Sequence, residues 1–152
     1  MITKIKSYVL AATLITLSSC AYPTKKSNYI AEPPTKKMAA VYIYRTQTSI
    51  HSANPDVPVF FVNDVRVGKL SIGGYYRVLV NPGEISVTNK GSLFGITTPW
   101  KEGEVKFTAK ENMSYYVKYA VEMQNLFITT TFKLVPDSFG ENDIKTTQLL
   151  VN

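Results

Sequence analysis

Val59-Phe60-Phe61-Val62-Asn63-Asp64-Val65-Arg66-Val67-Gly68-Lys69-Leu70 decides the fold. Two runs of β-branched and aromatic residues flank a two-residue Asn-Asp turn, the arrangement of a β-hairpin. Asn-Asp turns less readily than Asn-Gly, because Asp is strained at the positive φ that Gly accepts. Downstream, Gly73-Gly74 breaks the chain and Tyr75 to Val80 gives the next strand-like run. Asn81-Pro82-Gly83 then has turn chemistry, Pro presetting φ and Gly accepting the positive φ of a type II turn. In Glu84 to Asn89, Ile85 and Val87 alternate with Ser86 and Thr88, the pattern of a half-buried antiparallel strand. Val105 to Lys110 alternates as well, Glu111-Asn112 turns, and Tyr115 to Met123 and Phe127 to Val135 follow. Upstream, Ala40-Val41-Tyr42-Ile43-Tyr44-Arg45 reads as a strand, and the polar Thr46 to Pro58, broken by Asn54-Pro55, as a loop.

Eight short runs without a long helical period indicate an all-β domain, a sandwich or a partly closed barrel. The expectation favours an antiparallel β-sandwich of about seven to eight strands. After Pro136 the signals change: Asn142 or Asp143 is placed to cap a short C-terminal helix over Ile144 to Leu150, with Leu149 and Leu150 packed on the sheet.

The first twenty residues have a different character. Lys4 and Lys6 precede the apolar run Tyr8 to Leu17, which closes in Leu17-Ser18-Ser19-Cys20. A basic head, a short apolar core and small residues before a break form a secretory signal, too short to span a bilayer. The only cysteine of the chain stands where that core ends. Leu-Ser-Ser-Cys resembles a bacterial lipobox, which implies cleavage between Ser19 and Cys20 and acylation of the thiol with chains such as palmitate. Each buried methylene contributes about 0.8 kcal/mol to anchoring, so several chains hold firmly where one holds marginally. Ala21 rather than Asp after the cysteine resembles an outer-membrane destination, with the domain in the periplasm. With one cysteine there is no intrachain disulfide.

The expected organisation is a signal over 1–19, a lipidated tether over 20–38 and a β-sandwich domain over 39–152. Pro23, Pro33 and Pro34 among Thr, Ser and Lys give the tether its low hydrophobicity. Loss of the signal leaves 133 residues, one domain's worth. The chain has 17 basic and 11 acidic residues, and removal of Lys4 and Lys6 leaves 15 against 11. That excess is mild, with no Arg-rich run and no nucleic-acid module. Much of it lies in Lys25-Lys26 and Lys36-Lys37, which suit anionic head groups beside a lipid and equally suit a solvated tether.

The order Val41 to Arg45, Val65-Arg-Val-Gly68-Lys69-Leu70, Gly73-Gly74-Tyr75-Tyr76 and Asn81-Pro82-Gly83-Glu84 resembles a small β-rich lipoprotein domain, domain of unknown function 2846. The resemblance runs from about Ala39 to Leu150 and is strongest in its first half. It implies a β-sandwich on a bacterial envelope lipoprotein and supplies no catalytic residues.

Chemistry is sparse. His51 is the only histidine, and Ser49, Ser52 and Asp56 share its polar loop, so the residue types of a hydrolytic site exist without a legible constellation. A transition-metal site is not expected from one His and one Cys, Asp64, Asp137, Glu141 and Asp143 miss calcium-loop spacing, and Gly68-Lys69 lacks the upstream glycine of a P-loop. No cofactor is expected. Ten tyrosines, mostly in strand-like runs, straddle core and solvent or offer a platform to a sugar or peptide. Gly91 to Gly103 reads as an irregular apolar loop carrying Leu93, Phe94, Ile96 and Trp100. Either it plugs an open end of the sandwich, or Phe94 and Trp100 form an exposed patch for a partner.

The functional expectation is a lipid-anchored, non-enzymatic binding or adaptor module of the bacterial envelope. The alternative is a glycan- or peptidoglycan-binding lipoprotein, and a hydrolase centred on His51 comes third.

Overall fold

The computed structural model describes residues 24–29, 32, 34, 37–47, 57–93, 96–124 and 127–151, with the backbone alone for 24–28, 92–93, 96–101, 122–124 and 127–129. Ten strands and one helix follow in order: β1 Thr24–Asn28, β2 Ala39–Arg45, β3 Val59–Val62, β4 Val65–Lys69, β5 Gly74–Val80, β6 Gly83–Leu93, β7 Ile96–Ala109, β8 Ser114–Gln124, β9 Phe127–Val135, α1 Asp137–Ile144 and β10 Gln148–Val151. They form a β-sandwich: a six-stranded sheet in the order β1-β10-β5-β2-β8-β9 faces a four-stranded sheet in the order β4-β3-β6-β7. The all-β reading holds, and one detail is corrected. β2 pairs with β8, and β10 with β5, in parallel, so the larger sheet is mixed. The parallel pair arises because the chain leaves β2, builds the smaller sheet in two visits and returns as β8.

The expected hairpin is present. Asn63 and Asp64 both have positive φ, 47° and 64°, as a two-residue turn between twisted strands requires. Gly83 has a φ of 133° and opens β6. Gly74 is already within β5, where a Cβ would stand 2.7 Å from the Leu150 side chain, so glycine makes room for β10.

Three expectations fail. Within the stretch read as a tether, Thr24–Asn28 forms β1 and pairs with β10, so the sheet begins before Ala39. The expected terminal helix over Ile144 to Leu150 lies earlier: α1 is Asp137–Ile144, and Leu149 and Leu150 belong to β10. Pro136, with φ −56° and ψ 145°, starts the helix, and its carbonyl accepts from the amides of Phe139 and Gly140. The irregular loop over Gly91 to Gly103 is instead a long hairpin of β6 and β7. Asn89 pairs with Gly103 and Gly91 with Thr98, so four residues of β7, 99–102, face the single Lys90. That bulge takes Pro99 out of the hydrogen-bonded ladder, which is how a strand tolerates proline.

All seven residues of β2 are buried. Ala39, Val41 and Ile43, with Val117 of the neighbouring β8, face the smaller sheet, where Phe60 and Val87 complete the core. Ala40, Tyr42 and Tyr44 face the other way, into a second layer closed by Tyr75, Tyr116 and Ile144 of α1. The helix approaches closely because Gly140 has no side chain; a Cβ there would collide with the Cβ and ring of Tyr116. Arg45 ends β2 in the interior, its guanidinium 5.4 Å from the centre of the Tyr119 ring. At one margin β7 and β9 come together, and Gly103 permits this, since a Cβ would stand 2.8 Å from the Phe132 ring. At the opposite margin β4 is an edge strand, and there the sandwich gapes.

Candidate binding groove

The gap between β4 and β5 is a groove of about 530 Å³, within the ~300–1,000 Å³ range of ligand clefts. Its position follows from two turns. The Asn63-Asp64 turn is tied to β6 by Asn63 N donating to the Ser86 carbonyl at 2.8 Å and Ser86 N donating to Asn63 Oδ1 at 2.9 Å. The Asn81-Pro82-Gly83 turn carries β5 into β6 and forms the lower lip. Val62, Val67, Val78, Val80 and Ile85 belong to, or pack on, the inter-sheet core and form the floor. Met38 and Val65 stand at the mouth, where Val65 is 69% exposed. Core aliphatic side chains are thus reachable from outside through an exposed valine.

Polar groups are confined to the rim. Arg66 is exposed and is the one cation of the lining. The Glu84 carboxylate accepts a 2.6 Å hydrogen bond from Thr108 Oγ1. Behind the groove Tyr76 donates its hydroxyl to the Lys69 carbonyl at 3.1 Å, and burial pushes its pKa up to about 12, with Arg66 opposing. The lining contains no Ser, Thr, Cys, His, Lys or Tyr. It offers shape and apolar surface, with Glu84 as its one carboxylate.

A second recess, about 370 Å³, lies on the outer face of the six-stranded sheet between Tyr29, Glu32, Tyr42, Tyr116, Asp137 and Glu141. Tyr42 and Tyr116 stack at 5.1 Å, and Tyr29 meets Tyr42 and Tyr75 edge-on at 5.7 Å. The hydroxyls are engaged: Tyr29 with Tyr116 at 3.3 Å, Tyr42 to the Glu32 carbonyl at 3.1 Å, and Tyr44 to Asp143 Oδ2 at 3.1 Å. Lys118 Nζ also donates to Asp143 Oδ2, at 2.7 Å. Burial, first of all, raises the pKa of Tyr29, Tyr44, Tyr75 and Tyr116. The eight described tyrosines are all buried or half-buried, so these rings act as packing.

Ser19, Cys20, His51 and Phe94 lie outside the described residues, as do Ser49, Ser52 and Asp56. Trp100 lies in β7 by its backbone, and its side chain is not described. The groove was not anticipated. Its residues were all read as strand and turn, and no local signal tells that two strands from different sheets leave a gap.

The family model for proteins of unknown function DUF2846 matches residues 35–131. The chain belongs to this family. The DUF2846 match opens just before β2 and closes within β9, so it takes in every residue that lines the groove. Tyr29, Asp137 and Glu141 of the tyrosine recess fall outside it. No curated protein and no solved structure matches the chain. Among the described residues no helix is long and apolar enough to cross a membrane, and no three His, Cys, Asp or Glu residues are grouped to hold a metal ion.

Proposed function

We propose that this protein is a lipid-anchored, non-enzymatic binding module of the bacterial cell envelope, held through acylated Cys20 and using the groove between β4 and β5 as its site. The groove carries the binding half of the reading. Its floor is continuous with the core, and its mouth leaves Val65 uncovered, as surfaces that receive a partner do. The anchor half rests on Leu17-Ser18-Ser19-Cys20 behind a basic, apolar leader. Against a glycan platform stands the placement of the described tyrosines, which stack on each other and leave little ring face for a sugar.

Fractionation of cells expressing the wild type and Cys20→Ala tests the anchor. The wild type is expected in the membrane fraction after a salt wash, and the variant in the soluble periplasmic fraction or stalled with its signal uncut. A variant that remains membrane-bound after cleavage overturns the reading. Crosslinking of envelopes with Val65→Glu beside the wild type tests the groove, whose ligand should be lost from the variant.

A further inference from the structure

We propose that the groove takes up one acyl chain of a membrane lipid, drawn from the leaflet in which Cys20 is anchored. The inference rests on the lipid-anchored reading and adds to it the chemical class of the ligand. The sheet sets the geometry. β10 runs parallel to β5, with Gln148 opposite Gly74 and Leu149 opposite Tyr75, so Val151 stands level with Arg77. Thr24 pairs with Val151 and β1 runs antiparallel to β10. β1 therefore runs from Thr24, level with Arg77, toward Asn28, level with Gly74, and so away from the end of the sheet where β5 finishes at Val80 and the groove opens. Val80 lies three residues beyond the Arg77 level, about 10 Å, and β5 lies two strands across from β1, also about 10 Å. The four residues from Thr24 back to Cys20 reach at most about 14 Å. An anchor on Cys20 is thus close enough in sequence to stand within one short span of this end of the sandwich.

The end so placed has the character of a lipid-facing surface. Val65 and Met113, 69% and 43% exposed, are two of its apolar side chains, and both stand at strand ends on this side. Lys37 and Lys110 there are matched by Asp64 and Glu111, so no net charge of one sign repels a head-group layer. The groove suits a hydrocarbon chain. Its floor of Val62, Val67, Val78, Val80 and Ile85 is apolar, and Asn63, Arg66, Asn81 and Glu84 are the polar side chains of the lining. Arg66 at the rim is placed for the phosphate that joins the chains to their head group.

The mature acylated chain, reconstituted in phosphatidylcholine vesicles containing a phospholipid with a diazirine in its acyl chain, tests the inference. The vesicles are floated, irradiated and digested, and adducts are mapped by mass spectrometry. Adducts are expected on the floor residues Val62, Val67, Val78, Val80 and Ile85. Val65→Glu places a carboxylate at the mouth and should reduce those adducts about tenfold while the chain still floats with an unchanged Tm. A chain that floats with adducts only outside the groove, or with floor adducts unchanged in Val65→Glu, overturns the inference and leaves the anchor standing. A chain that neither floats nor carries an acyl mass on Cys20 instead overturns the anchor itself, and the lipid assignment with it.

Discussion

The outer recess and the inter-sheet groove are both lined by β-strand side chains, and they differ in what is left over. In the recess the rings of Tyr29, Tyr42 and Tyr116 meet one another and their hydroxyls have partners, with α1 packed over Tyr116. In the groove aliphatic side chains of the core end at an opening, with Val65 exposed and Arg66 on the rim. Surface whose polar and apolar needs are met inside the chain contributes to stability. Apolar surface left uncovered at a concave site is matched to something outside it. The two regions should therefore separate under mutation, the recess in melting temperature and the groove in what is bound.

The largest effect is expected from Tyr42→Ala, which removes a fully buried ring stacked on Tyr116. Loss of a large core aromatic costs about 3–5 kcal/mol. A loss below about 1 kcal/mol in denaturant unfolding would break the distinction. Gly140→Ala should cost about 1–3 kcal/mol, because the new methyl group collides with Tyr116 and drives α1 off the sheet. Circular dichroism should show the helix lost before the strands. Tyr44→Phe should cost about 1–2 kcal/mol through the hydrogen bond to Asp143, whose carboxylate keeps Lys118.

The tyrosines also set a pH limit. Tyr76, pushed up to about 12, and Tyr29, Tyr44, Tyr75 and Tyr116, also raised, bind their protons more tightly folded than unfolded. Their contribution is complete below about pH 10, the unfolded value, and is lost as pH rises through about 12. Phenolate absorbance and loss of strand signal should rise together in that window. Titration near pH 10 with the fold intact would show that the rings are not held as described. The smallest stability effect is expected at the groove: Val65→Glu should shift unfolding by no more than about 0.5 kcal/mol, since the side chain is already in water.

The strand rhythm was legible where two or more residues of each face repeat, as in Ile85 and Val87 against Ser86 and Thr88. It was not legible in Thr24–Asn28, an edge strand whose sequence Thr-Lys-Lys-Ser-Asn has no apolar alternation to mark it. Nor was it in Gln148–Val151, too short for two periods, so the turn-like Gly140 to Asp143 misdirected the reading toward a later helix. Tyr42 and Tyr44 advertised an amphipathic outer face, and only the fold shows that α1 covers it. Glycines and Pro99 between 91 and 103 suggested a loop, because a bulge of four residues against one leaves no composition signature. The groove draws its walls from residues 38, 62, 63, 65–67 and 78–85, which only tertiary packing brings together.

The measurement that bears most directly on the account is the intact mass of the protein extracted from the membranes of the cells that make it. The account predicts a chain that begins at Cys20, 133 residues long, and carries acyl mass on that residue. A chain that retains residues 1–19, or one that begins at Cys20 without added mass, would contradict it.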